Sequence, residues 1–214
     1  MLLCSIFQTR LFSEIELTKV PMSAKKVIIL GASGNVAKHV IDILTKEDHI
    51  QLTLFLRSAK RLKNKDISKA RIIEGDVLNY NLLKEAIKGQ DIVYANLAGE
   101  LEAMAKNIVK AMGETGVKKI IFITSIGIYD VPLSSLLRRY RYAADVIEAS
   151  NLEYTILRPT WFTNVNEIDY ETTRKGEPEK GSVISQKSLA TLITKIIESP
   201  EKYVRENLGV NKPN

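Results

Sequence analysis

The chain has 214 residues, enough for one domain with a sizeable core and too few for two comfortable ones. Its 45% hydrophobic and 26% charged residues are ordinary for a soluble globular protein, and no apolar run approaches the roughly 20 residues that span a bilayer. The net charge of +6 is modest and spread along the chain apart from Arg138-Arg139-Tyr140-Arg141, a candidate anion contact, so a dedicated nucleic-acid binder is not expected.

Residues 1–22 have mixed polarity, carry Glu14 and Glu16, and lack the continuous apolar core of a signal peptide. They read as an upstream extension, disordered or loosely packed, before a domain over 23–214 whose expected location is the cytoplasm. Met22-Ser23-Ala24-Lys25-Lys26 leads into the first strand as a natural start would. Cys4 is the one cysteine, which excludes an internal disulfide and a cysteine metal site. His39 and His49 make no metal cluster, and no metal is expected.

Val27-Ile28-Ile29-Leu30-Gly31-Ala32-Ser33-Gly34-Asn35-Val36-Ala37 reads as a buried strand, a glycine turn and a helix start. Such a turn aims backbone N–H groups and the positive helix N-terminus at a place where a pyrophosphate can sit. Gly31 would permit the tight turn, Gly34 the close approach of phosphate to backbone, and Ala37 the packing of helix on strand. The spacing is GxxGxxA. A second strand, Leu52–Arg57, follows one helix later. Its end is where a carboxylate would bind the ribose 2′-hydroxyl of NAD, or an arginine the 2′-phosphate of NADP. Arg57 stands there, followed by Ser58, Lys60 and Arg61, with no carboxylate before Asp66. That favours NADP(H) over NAD(H), because a dianionic phosphate meets a guanidinium fork. The plainer alternative makes Arg57 to Lys65 a solvated basic loop.

Further on, the pattern predicts strands over Lys26–Leu30, Ala70–Glu74, Ile92–Ala95, Lys119–Ile123 and Thr155–Arg158. The intervening helices are expected over Asn35–Thr45, Asn79–Ile87, Leu101–Thr115 and Arg139–Ser150, with a last amphipathic helix over Ser188–Glu198 capped by Ser185 or Ser188. Strand–helix alternation with almost wholly apolar strands implies a single Rossmann-type doubly wound parallel sheet with helices on both faces. Ligands bind such a sheet at the carboxyl ends of its strands. Those ends are Gly31–Gly34, Arg57-Ser58, Gly75-Asp76-Val77, Asn96-Leu97-Ala98-Gly99, Thr124-Ser125-Ile126-Gly127-Ile128-Tyr129 and Pro159-Thr160-Trp161-Phe162.

GASGNVA at 31–37, GDV at 75–77, NLAG at 96–99, FITSIGIY at 122–129, AADVIEASNLEYTILRPTW at 143–161 and SQKSLATLI at 185–193 occur in this order. In them the chain resembles the atypical, NmrA-like NAD(P)H-binding branch of the short-chain dehydrogenase/reductases, from Lys25 to Pro213. The resemblance implies that Asp76 contacts the adenine amino group and the Val77 backbone the ring, and that Asn96–Gly99 passes the adenosine ribose. The residues after Leu157-Arg158-Pro159 would contact the nicotinamide amide, Trp161 among them. Gly31, Ser33, Gly34, Asn35, Val36, Arg57, Ser58, Thr124 and Ser125 complete the expected cofactor set. Related reductases use a serine plus a Tyr-x-x-x-Lys pair in which lysine lowers the tyrosine pKa. Ser125 matches the serine, but Tyr140 is followed by Ala144 and Tyr142 by Val146. Arg141 falls where the lysine often stands, and arginine relays no proton. Tyr140 is therefore a doubtful acid, and Ser125 is the catalytic residue expected.

One reading is an NADP(H)-dependent oxidoreductase acting on a small electrophilic acceptor, a quinone, flavin or similar, with Trp161, Phe162 and Tyr129 on the acceptor side. The alternative is a non-catalytic dinucleotide redox sensor acting through a protein partner. Monomer and homodimer both stay open.

Overall fold

The computed structural model describes residues 24–62 and 66–213. The extension expected over 1–22, with Cys4, and part of the basic stretch ending at Lys65 lie outside the described residues. The elements are β1 (Lys25–Leu30), α1 (Asn35–Leu44), β2 (Ile50–Leu56), β3 (Arg71–Glu74), α2 (Tyr80–Ile87), β4 (Ile92–Ala95), α3 (Leu101–Thr115), β5 (Lys119–Ile123) and α4 (Arg138–Glu148). Then follow β6 (Glu153–Pro159), β7 (Trp161–Thr163), β8 (Glu171–Arg174), β9 (Val183–Ser185), α5 (Gln186–Glu198) and β10 (Glu206–Asn211).

Val27 to Leu30 are wholly buried because alternate side chains enter two cores. Val27 and Ile29 join Leu54, Tyr94 and the apolar faces of α1 and α5. Ile28 and Leu30 join Phe55, Val93, Phe122 and the faces of α2, α3 and α4. Burying such side chains contributes about 1.5–3 kcal/mol each, so a strand with both faces covered reads as one unbroken apolar run.

Eight strands form one sheet in the order β3-β2-β1-β4-β5-β6-β10-β8. Every pair is parallel except β10 with β8. The chain's direction across the sheet reverses between β1 and β4, and at that reversal a crevice opens above the carboxyl ends. Among the described residues no helix is long and apolar enough to cross a membrane.

Several boundaries differ from expectation. β2 ends at Leu56, which puts Arg57 just beyond the strand, and β6 runs on to Pro159. β3 starts at Arg71, one residue late. α1 ends one residue early, with Thr45 as its cap, and α4 covers Arg138–Glu148 instead of Arg139–Ser150. Asn79 is the cap of α2, accepting the Leu82 N–H at 3.3 Å, and not its first helical residue. The last helix starts at Gln186, since Ser185 caps it by accepting the Ser188 N–H at 2.9 Å. β7 to β10 have no counterpart among the predicted elements. ETTR is polar and ENLGVN places only Leu208 and Val210 in the core, and their strand conformation comes from their partners across the sheet.

Candidate functional site

Gly31 ends β1 in a left-handed conformation, φ +80°, and a Cβ there would lie 2.2 Å from the Asn96 carbonyl oxygen. No L side chain fits that position. Gly34 has an ordinary φ of −71° and is the N-cap residue of α1. Its glycine is required for space: a Cβ would lie 2.3 Å from Asn96 Nδ2. The close approach at Gly34 is thus already made by the Asn96 carboxamide. Gly34→Ala is expected to cost about 1–3 kcal/mol through this overlap. Combined with Asn96→Ala, it should recover most of that loss in a thermal melt. A wild-type melting temperature for Gly34→Ala alone would contradict the contact.

Gly34, the N-cap residue, gives the first turn of α1 no side-chain cap. Its N–H groups lack intrahelical acceptors and leave a positive end at the glycine turn. A cleft of about 180 Å³ opens there. It is lined by Gly31, Ser33 and Gly34, by Arg57 and Arg61, by Gly75, Asp76 and Val77, and by Asn96, Leu97 and Ala98. Four of the predicted strand ends thus meet at one place. An adjoining cleft shares Ser33, Gly34 and Arg61 and adds Asn35, Lys38 and Lys60. Val36 is 3% exposed, so only its backbone reaches the turn. Gly99 lies outside the first cleft and borders another with Arg138 and Arg139.

Asp76 holds the entry to α2, its Oδ1 accepting the Leu78 N–H at 2.9 Å. Val77 is buried, and its carbonyl accepts from Asn107 Nδ2 at 3.1 Å. Ser58 precedes a single 3-10 turn, Ala59–Arg61, without capping it by its side chain, and the first N–H of that turn donates to the Glu74 carboxylate.

On the other side of the crevice, Thr124 is 4% exposed and its hydroxyl donates to the Leu157 carbonyl at 3.0 Å, so it is committed to the sheet. Ser125 follows, half-buried. The turn that carries it is held from β6. The Thr124 N–H donates to Leu157 O and the Ile126 N–H to Pro159 O, at 2.8 and 3.0 Å. The Gly127 N–H donates to Glu179 Oε2 at 2.9 Å, and the other oxygen of Glu179 accepts from Arg158 Nε at 2.7 Å. Arg158 is 1% exposed and also donates to the backbone and side-chain oxygens of Asn207.

The expected aromatic trio is divided. Trp161 and Phe162 stand on the small β7–β9 sheet, 79% and 48% exposed. Tyr129 instead packs beneath α4. Its hydroxyl accepts from Asn207 Nδ2 at 2.8 Å and donates to Glu148 at 3.3 Å. Arg141 and Lys175 flank its ring at 4.7 and 4.5 Å. Burial and the Glu148 carboxylate push the Tyr129 hydroxyl pKa up, which makes it a poorer acid. Arg141, at the lysine position, is braced by both oxygens of Asp145 at 2.8 and 3.0 Å. It therefore leaves the basic cluster to Arg138 and Arg139, which are exposed. Tyr140 is half-buried against the second core, with the Arg139 guanidinium over its ring at 5.4 Å.

Lys38, Glu74 and Glu179 went unassigned in the sequence. Lys38 had a usable signal, one helical turn after Gly34. Glu179 had none, being 52 residues from Gly127.

A model described as NAD(P)H-binding matches residues 31–200. The chain belongs to this NAD(P)H-binding family. It is similar to a Rossmann-fold NAD(P)-binding family protein from Shigella flexneri, 48% identical with a TM-score of 0.84, covering 89% of this chain and 95% of that one. A short-chain dehydrogenase/reductase from Veillonella parvula in complex with NADP is 28% identical, TM-score 0.81, over 89% and 95% of the two chains. An isoflavone reductase homolog of Nicotiana tabacum is 26% identical over 88% of this chain and 68% of its own length. These likenesses bear out the family resemblance and the doubly wound sheet. The fold is that of NAD(P)-binding reductases.

Proposed function

We propose that the chain is an NADP(H)-dependent oxidoreductase that reduces a small electrophilic acceptor of the quinone or flavin class. The observation that carries the cofactor preference is the ring of cations around the glycine turn: Arg57, Lys60, Arg61 and Lys38 line two clefts that share Ser33 and Gly34. Asp76 is the one carboxylate among the described residues lining either cleft, and it already engages the Leu78 N–H. The residues fit the dinucleotide. Gly31 keeps the turn free of a side chain, and the uncapped start of α1 suits a pyrophosphate.

When bound, the cofactor supplies a hydride. In this chain, Arg57 and Arg61 would hold the 2′-phosphate, the α1 N-terminus would hold the diphosphate, and Asp76 and Asn96 would flank the adenosine. After hydride addition the reduced acceptor takes up one proton, on a quinone oxygen or a flavin ring nitrogen, which Ser125 or solvent would deliver. An acceptor that is already electrophilic needs no strong protein acid, in keeping with a Tyr129 hydroxyl whose pKa is raised and an Arg141 tied to Asp145. The exposed rings of Trp161 and Phe162 offer a planar acceptor a stacking face.

A second reading, a redox sensor acting on a protein partner, is favoured by the bracing of Arg141 where a catalytic lysine would stand. The deciding experiment follows NADPH oxidation with quinones, flavins and small aldehydes. Ser125→Ala should lower turnover within about the 10²–10⁴-fold range of a lost acid and spare NADPH binding, while Tyr140→Phe does little. A collapse in Tyr140→Phe with Ser125→Ala unaffected would restore a tyrosine acid. Tight NADPH binding with no turnover on any acceptor would select the sensor.

A further inference from the structure

We infer that Glu74 is a positioning residue for the basic turn after β2 and, through it, a determinant of selectivity for the nucleotide 2′-phosphate; this rests on the NADP(H) reading above. Glu74 is the last residue of β3 and lies in register with Leu56, the last residue of β2. Its Oε1 accepts the Ala59 N–H. That N–H opens the Ala59–Arg61 turn, which is otherwise closed by Arg61 N–H to Ser58 O at 3.1 Å and Leu62 N–H to Ala59 O at 3.0 Å.

Such a turn needs an anchor. A 3-10 turn has poor hydrogen-bond geometry and holds itself weakly. This one places Arg57, Lys60 and Arg61 within five residues, and their charges repel. A carboxylate at its amino end supplies a charge-assisted hydrogen bond and partly offsets that repulsion. Glu74 lines neither cleft, whereas Arg57, Lys60 and Arg61 do. The carboxylate thus grips the turn from β3 while the cations face the nucleotide space. Without the grip, Lys60 and Arg61 would have to be ordered when the 2′-phosphate arrives, and NADPH would bear that cost while NADH would not.

The test measures NADPH and NADH affinities by calorimetry on the full chain, its Glu74→Ala and Glu74→Gln variants, and hydrogen exchange of the Ala59 amide in the free proteins. Glu74→Ala should weaken NADPH by roughly tenfold, leave NADH within about twofold, and speed Ala59 exchange, as expected for one lost charge-assisted bond. Glu74→Gln keeps an oxygen acceptor but not the charge, and should recover part of the loss. Tighter NADPH binding in both variants would overturn the inference, because Glu74 would then act as a repelling charge near the phosphate. Equal losses for both nucleotides, or unchanged Ala59 exchange, would also overturn it. A wild-type protein that binds NADPH no better than NADH would instead fail the cofactor reading itself, and the selectivity role with it.

Discussion

Arg57→Ala is expected to weaken NADPH binding by roughly ten- to a hundredfold and to leave NADH nearly unchanged. Arg57 is exposed just past the end of β2 and lines the cleft with Arg61. A hydrogen bond to a charged partner contributes about 1.5–3 kcal/mol, and about 1.4 kcal/mol is a factor of ten. Removing Arg61 as well should abolish the preference, since both guanidinium groups border the same space. The difference between the cofactors should shrink as salt is raised, because these exposed charges are screened. Calorimetric titration of the three proteins with each nucleotide gives the answer. Equal losses of NADPH and NADH in Arg57→Ala would mean that Arg57 serves the fold and not the phosphate.

The largest stability effect is expected at Glu179. Its removal strands Arg158, 1% exposed, without its carboxylate and frees the Gly127 N–H. An unpaired buried charge costs about 3–5 kcal/mol, a fall in Tm of roughly 6–20 °C for a chain of this size. Removing the charge as well, in Arg158→Met with Glu179→Gln, should restore much of the loss, because glutamine can still accept from Gly127. The Lys84–Glu114 pair is the control, with side chains 37% and 40% exposed. Lys84→Ala should cost only about 0.2–1 kcal/mol. Melts in which Glu179→Ala costs no more than Lys84→Ala would show that the buried pair does little for stability.

The parts of this molecule legible in its sequence are those whose signal is local. Val27 to Ala37 names a strand, a turn and a helix within eleven residues, and the structure places them as read. The apolar runs of β4 and β5 are equally plain, since both faces of each are covered. What the sequence hid depends on distant partners. β8 is polar and β10 carries only Leu208 and Val210 as core side chains; β10 becomes a strand between β6 and β8, and β8 by pairing with β10. Tyr129 follows a strand end and looks like an acceptor-lining ring, but Glu148 and Asn207, 19 and 78 residues away, claim its hydroxyl. Gly34 was legible as a glycine that must stay small. That Asn96 fills the space beside it was not, because that contact arises only where β1 and β4 lie side by side.

We propose NADP(H) binding in the cleft at the ends of β1 to β4. It is tested most directly by titrating the unmodified protein with NADPH and with NADH at one ionic strength. NADPH should bind at least about tenfold more tightly, the equivalent of one charge-assisted bond to the 2′-phosphate. Tighter binding of NADH, or no binding of either nucleotide to the folded protein, would contradict it.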